Sequence, residues 1–328
     1  MTAAKVELGR HLFYDPRLSA NFSQACASCH IQQLAFTDGM PRALGSTGQL
    51  HPRGAMSLAN AAYSPALNWA APHLRQIEHQ VTSTLFNLHP VELGWNGNDR
   101  EILARLAADP RYLWLFSKAF PDSEPAIRLT NVVRALACFV RTLIAGDSPY
   151  HRLVYRGENE ALSEAARRGM RLFFSDRAGC AGCHDGFALS GPVVHAASGQ
   201  VEPAFHNTGL YNVDGRGSYP PENLGAFART GRVEEMGRFR APSLINIART
   251  APYMHDGSLA TLQEVVAFYA AGGRWADGDA GDGRDNPYKS PRIRGFEMRE
   301  DETRDLIAFL SSLTDESFLT DPRLSNPF

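Results

Sequence analysis

Apolar positions recur with helical spacing along much of the chain. Between Thr130 and Ile144 they fall at Val132, Val133, Leu136, Val140, Leu143 and Ile144, one face of a 3.6-residue period. That spacing predicts a helix opened by Thr130 and stopped by Gly146-Asp147-Ser148-Pro149. Ile102, Leu103 and Leu106 predict another, capped by Asn98 or Asp99 and interrupted at Pro110. Leu262, Val265, Val266 and Tyr269 predict a third, opened by Thr261 and closed by Gly272-Gly273. A last helix is expected from near Asp301 to Leu313, with Leu306, Ile307, Leu310 and Leu313 facing inward. Segments 186–237 and 272–298 are rich in Gly, Pro and Asp and read as long loops. Strand-like alternation is scarce, so the expected fold class is mainly α.

The pattern also repeats. Gly9-Arg10-His11-Leu12-Phe13-Tyr14-Asp15-Pro16-Arg17 precedes Cys26, and Gly169-Met170-Arg171-Leu172-Phe173-Phe174-Ser175-Asp176-Arg177 precedes Cys180. Each run predicts a short amphipathic helix leading into a cysteine loop. A duplicated domain follows, with the expected units at 1–148 and 149–328 and Gly146–Pro149 as the link.

Composition narrows the function. The 328 residues suffice for two domains of roughly 150 each. With 44% hydrophobic and 21% charged residues the chain reads as globular, and a net charge of −2 argues against a nucleic-acid surface. No apolar run approaches the roughly 20 residues that a membrane-spanning helix needs.

Four of the five cysteines lie in two C-x-x-C-H motifs, Cys26-Ala27-Ser28-Cys29-His30 and Cys180-Ala181-Gly182-Cys183-His184. This pattern reads as covalent attachment of c-type haem: the cysteines form thioethers and the histidine reaches the iron. A disulfide or a zinc site leaves the adjoining histidine unexplained, twice. Cys138 lies in an apolar stretch and reads as a buried free thiol. The second axial position on each iron then decides the chemistry. Closed by a side chain, the haem transfers electrons; open, it binds peroxide or oxygen. Bacteria attach such haems outside the cytoplasm. Met1-Thr2-Ala3-Ala4-Lys5 holds no signal-peptide core, so the expectation is a periplasmic protein whose leader has been removed.

Around these sites the residues resemble the bacterial dihaem cytochrome c peroxidase/MauG superfamily. The resemblance rests on Ala35-Phe36-Thr37-Asp38-Gly39, His89-Pro90-Val91-Glu92-Leu93-Gly94, Phe239-Arg240-Ala241-Pro242-Ser243-Leu244 and Thr250-Ala251-Pro252-Tyr253-Met254-His255-Asp256-Gly257. These run in family order over nearly the whole chain. The resemblance implies two cytochrome c-like domains, each with one covalent haem c, and makes the N-terminal haem the one that meets hydrogen peroxide, with His30 proximal. It places the distal acid at Glu92, to take a proton from peroxide and return it to the departing oxygen, and the distal glutamine at Gln80. It places the indole that relays an electron between haems at Trp69. From the residues alone, Glu92 is equally a surface or turn carboxylate and Trp69 a core aromatic. Trp95, Trp114 and Trp275 match nothing and read as packing.

On the second haem, with His184 as one ligand, the resemblance puts the other at Tyr269. Peroxidases of the family use Met there and MauG-like members Tyr. A phenolate favours ferric and higher states, a thioether ferrous iron. The alternatives are a core tyrosine at 269 with Met254 or Met298 as ligand. Many family peroxidases hold a distal histidine at a position that falls near Ser46. His51, five residues on, reads as making a local hydrogen bond, so the first haem is expected to be five-coordinate. The resemblance also implies a calcium ion between domains, with backbone oxygens from Thr250 and Pro252. Gly54 stands where the family has an asparagine ligand, with Asn60 nearby. His255 is expected to give structural support near the haems.

The MauG-like (MbnH-like) subgroup implies that peroxide raises the haem pair two electrons above diferric, to a bis-Fe(IV)-type state. The pair then oxidises a tryptophan on a periplasmic partner protein, with kynurenine as one product. A peroxidase drawing electrons from a small redox protein is the second reading, and a dihaem electron carrier the third. The surface tryptophan that passes electrons in MauG falls on Ala178, so a partner would need another relay.

Overall fold

Gly9 and Gly169 occupy equivalent places in the two repeated runs, and each lets one helix press against the backbone of another. A computed structural model of the chain describes residues 1–275 and 278–328. Its helices of eight or more residues are α1 (Ala3–Tyr14), α2 (Ile77–Phe86), α3 (Asp99–Ala107), α4 (Pro110–Ala119), α5 (Leu129–Val140), α6 (Pro149–Arg156), α7 (Glu164–Phe173), α8 (Leu262–Ala271) and α9 (Glu300–Ser311). A Cβ on Gly9 in α1 would come 2.0 Å from the Ala135 carbonyl oxygen of α5. One on Gly169 in α7 would come 1.9 Å from the Asp305 oxygen of α9. Only glycine permits both approaches. The repeat therefore encodes one packing device used twice: a leading helix clamped onto a later one, with the C-x-x-C-H turn following it.

The described strands are β1 (Phe205–His206) and β2 (Phe239–Arg240), antiparallel, with Phe205 opposite Arg240 and His206 opposite Phe239. The fold is thus mainly α. Segments 186–237 and 272–298 hold only single turns and β1 among their described residues; Ala276 and Asp277 of the latter lie outside the described residues.

The chain forms two compact units that are discontinuous in sequence. The first comprises Met1–Ala62, Leu74–Ile144 and Ser317–Phe328; the second comprises Tyr63–His73 and Ala145–Glu316. A single cut at 148/149 does not describe this division. The C-terminal tail joins the first unit because Arg10 donates to the Pro322 and Arg323 carbonyls, both at 3.1 Å, and Tyr14 donates to Leu324 O at 2.7 Å. Segment 63–73 joins the second because its Tyr63 and Trp69 carbonyls accept from Val194 N, at 2.8 Å, and Arg240 N, at 2.9 Å.

Helix ends differ from the sequence expectation in identifiable ways. α5 starts at Leu129 with Arg128 at its N-cap, so Thr130 lies inside it. It stops at Val140 because Thr142 N and Leu143 N bond three residues back, to Phe139 and Val140. Leu143 is still buried, but Ile144 is exposed. Asn98 occupies the N-cap of α3 without capping it, its amide donating instead to Gly94 O at 2.8 Å. α8 follows its expectation: Thr261 and Glu264 form a reciprocal capping box, and left-handed Gly272 closes it. α9 starts at Glu300 and ends at Ser311, while Leu306 and Leu310 line the core of the second unit with Phe173 and Phe309.

Candidate functional site

Each C-x-x-C-H motif folds as one helical turn, Cys26–Cys29 in the first unit and Cys180–Gly182 in the second. All four cysteines are half-buried free thiols, open to thioether formation. The two histidines are held alike. His30 Nδ1 bonds the Phe36 carbonyl at 2.7 Å, and His184 Nδ1 bonds the Leu189 carbonyl at 3.0 Å. Both carbonyls belong to residues with left-handed backbone, φ 61° at Phe36 and 46° at Leu189, a costly geometry for bulky side chains of about 1–3 kcal/mol each. Burial lowers both imidazole pKa values, with the carbonyl bonds opposing. A neutral ring with Nδ1 committed as donor offers Nε2 to a metal, the usual arrangement for a ligating histidine. The residues therefore fit a haem at each motif.

Glu92 lies near the first motif, since its charge acts on Cys26, Cys29 and His30. Its side chain is 28% exposed. Asn87, just beyond α2, donates from Nδ2 to Glu92 Oε1 at 3.0 Å. His51 Nε2 stands 3.5 Å from the same oxygen. A hairpin presents His51, with Leu44 bridged to Leu50 and His51 N bonded to Ala43 O at 2.6 Å. Ser46 N–H bonds the Val91 and Glu92 carbonyls, at 3.0 and 3.1 Å, so this hairpin and the Glu92 loop are tied by backbone. Gln80 sits on α2, its Oε1 buried without a hydrogen-bond partner among the described residues, an acceptor of the kind a bound molecule satisfies. The sequence offers no sign of Asn87, and the residue that His51 approaches, Glu92, is distant in sequence rather than local.

In the second unit, Tyr269 lies on α8, half-buried. Burial raises the pKa of its phenol strongly, and the charges of Cys183 and Cys180 add to the rise. Its ring is therefore near both cysteines of the second motif. Trp69 packs against the same apolar cluster as Tyr269, formed by Ala70, Leu210, Tyr219, Phe239 and Phe268; Met254 also packs there. Met298 packs instead on the cluster that Cys180 and Ala181 adjoin. His255 is buried, its ring stacked on Phe239 at 3.7 Å and 11°. His206, which the sequence left without a role, is close enough for its charge to act on His184. Ala178 is half-buried against the core.

Asn60 belongs to the first unit, buried and left-handed, with its N–H on Leu143 O at 2.8 Å. Thr250 and Pro252 belong to the second. Trp95 is fully buried and donates to Leu18 O at 2.7 Å, whereas Trp114 and Trp275 are exposed. Cys138 is buried, as expected. Among the described residues no helix is long and apolar enough to cross a membrane.

The chain as a whole is similar to known proteins. A profile of the di-haem cytochrome c peroxidase family matches residues 3–160. The methylamine utilization protein MauG of Methylorubrum extorquens is 35% identical over 99% of this chain and 82% of its own. Cytochrome-c peroxidase IdrP1 of Denitromonas iodatirespirans is 33% identical over 100% of this chain and 86% of its own. A solved structure of a MauG-like protein associated with microbial copper homeostasis is 45% identical, covers 100% of this chain and 94% of the other, and superposes with a TM-score of 0.97. Membership implies two covalent c-type haems, one for each cysteine pair, and hydrogen peroxide as oxidant. The chain belongs to the dihaem cytochrome c peroxidase/MauG family.

Proposed function

We propose that this enzyme works as MauG-like proteins do: it uses hydrogen peroxide to oxidise a tryptophan on a periplasmic partner protein, with kynurenine as one product. The observation that carries this reading is Tyr269, a phenol beside Cys180 and Cys183 where a peroxidase would present a thioether. A c-type haem supplies peroxide binding at an open iron face and stores the oxidising equivalents. The chain's own residues do the rest. His30 and His184 would hold the metals through Nε2, and Tyr269 would supply the second with a hard oxygen of the kind that favours high oxidation states. Glu92 takes the proton of the attacking peroxide oxygen and delivers it to the leaving one. Asn87 fixes Glu92 Oε1, and His51 Nε2 stands beside the same oxygen. Gln80 offers an unmet amide acceptor. Trp69, packed on the cluster that holds Tyr269, serves as the electron relay.

The same reading includes a calcium ion, for which the Thr250 and Pro252 carbonyls of the second unit are oxygen donors of the kind that suit a hard cation. The copper association of the 45% identical relative suggests a partner from a copper-handling system. The test is competition for peroxide-treated holoenzyme between tryptophan-containing peptides and a reduced small cytochrome. Mass change at tryptophan with slow cytochrome turnover is expected. Rapid cytochrome oxidation with unmodified peptide would make the chain a conventional peroxidase.

A further inference from the structure

Tyr211 carries a proton acceptor that its neighbouring phenols lack. Its ring packs with Trp69 and Tyr269 on one apolar cluster of the second unit. Its hydroxyl donates to Asp256 Oδ2 at 2.5 Å. Ser258 N–H holds the other carboxylate oxygen at 3.1 Å. Tyr219 meets the Tyr211 ring edge-on at 5.4 Å, but it donates to the Asn207 amide oxygen, which has no useful basicity. Tyr112 in the first unit also donates to a carboxylate, Asp15 Oδ2 at 2.6 Å. There the Arg17 guanidinium already engages both Asp15 oxygens, at 3.0 and 2.9 Å.

A phenol that loses an electron without its proton becomes a high-energy radical cation. A carboxylate at hydrogen-bond distance removes that barrier by taking the proton as the electron leaves, the usual service of a positioned base. Tyr211 is also part-exposed, and the Arg274 guanidinium lies 5.4 Å from its ring centroid, a cation that further favours proton loss.

We propose that Tyr211 and Asp256 form a proton-coupled redox pair through which oxidising equivalents leave the second unit toward a partner's aromatic side chain. This use of the pair rests on the peroxide-driven function proposed above. In each one-electron cycle the Tyr211 O–H bond breaks, the proton passes to Asp256 Oδ2 and the electron to the oxidant. When the partner's indole yields an electron, the proton returns and the O–H bond re-forms. Two cycles account for the two equivalents of one peroxide.

The test is EPR of freeze-trapped holoprotein carrying ring-deuterated tyrosine, oxidised in one arm by peroxide and in the other by photogenerated ruthenium(III) tris-bipyridine. A tyrosyl signal narrowed by deuteration is expected in both arms for the parent, Y112F and Y219F proteins. It should be lost in Y211F, and form at least tenfold more slowly in D256N, with circular dichroism confirming the fold of each. No tyrosyl signal under the photogenerated oxidant, or one unchanged in Y211F, overturns the pair. A Tyr211 signal with ruthenium but none with peroxide upholds the pair and overturns the peroxide-driven function instead.

Discussion

His51 Nε2 stands 3.5 Å from Glu92 Oε1, the oxygen that Asn87 Nδ2 also reaches at 3.0 Å. The carboxylate is thus aimed from two sides by the hairpin and by the end of α2. Glu92→Gln keeps the shape and removes the proton carrier. Its rate of reaction with peroxide in stopped flow should fall by about 10²–10⁴, the usual worth of a positioned acid–base group, with both haems still attached. Asn87→Ala leaves the carboxyl but frees it, and a loss of only about tenfold is expected. Equal losses in the two variants would mean that Glu92 is only structural.

Tyr269 sets the potential of the second haem in this account. A thioether favours ferrous iron where a phenolate favours ferric. Tyr269→Met should therefore raise that haem's reduction potential, and Tyr269→Phe should change its low-spin spectrum while leaving covalent attachment intact. Spectroelectrochemical titration reads the first and optical spectra the second. An unchanged potential in Tyr269→Met would remove Tyr269 from the iron.

The two glycine contacts should matter equally. Gly9→Ala and Gly169→Ala each place a methyl about 2 Å from a backbone oxygen, which only helix displacement relieves. Each should cost at least about 1–3 kcal/mol, the range for forced overpacking, seen as a lower unfolding midpoint in urea. A cost below about 0.5 kcal/mol at either site would show the helices free to part.

The Arg141 guanidinium grips both Glu78 oxygens, at 2.7 and 2.8 Å, and holds its carboxyl below the ordinary range. This pair anchors α2, the helix that carries Gln80. A depressed folded pKa gives stability that is full above the unfolded value and vanishes as pH falls through the folded one. Glu78→Gln should cost about 0.5–1 kcal/mol at pH 7, as a solvent-screened pair does. The deficit should shrink below about pH 4. Urea unfolding of both proteins at the two pH values checks this.

Much of this was legible in the sequence because spacing and chemistry coincide. The C-x-x-C-H motifs, the repeated Gly9 and Gly169 runs and the Thr261–Glu264 cap are local patterns with local consequences. The structure makes physical sense of the repeat, since those glycines are where helices touch. What stayed hidden depends on distant segments. His51 meets Glu92 where a hairpin is tied to the Glu92 loop by Ser46, whereas Asn87 reaches it locally, from five residues away at the end of α2. Segment 63–73 and the C-terminal tail join their units through carbonyl bonds that no residue pattern announces. At the end of α5 the apolar spacing runs past the helix boundary because Leu143 stays buried after the helix has stopped.

The central claim of the proposal is that the two irons would differ: His30 would hold one with its far face open near Glu92, and His184 and Tyr269 would enclose the other. EPR and resonance Raman spectra of the diferric holoprotein, recorded beside Tyr269→Phe, test it most directly. The account predicts one high-spin five-coordinate haem and one low-spin haem with a phenolate vibration that Tyr269→Phe abolishes. Two low-spin haems, the first with two imidazoles or the second with a thioether, would contradict it.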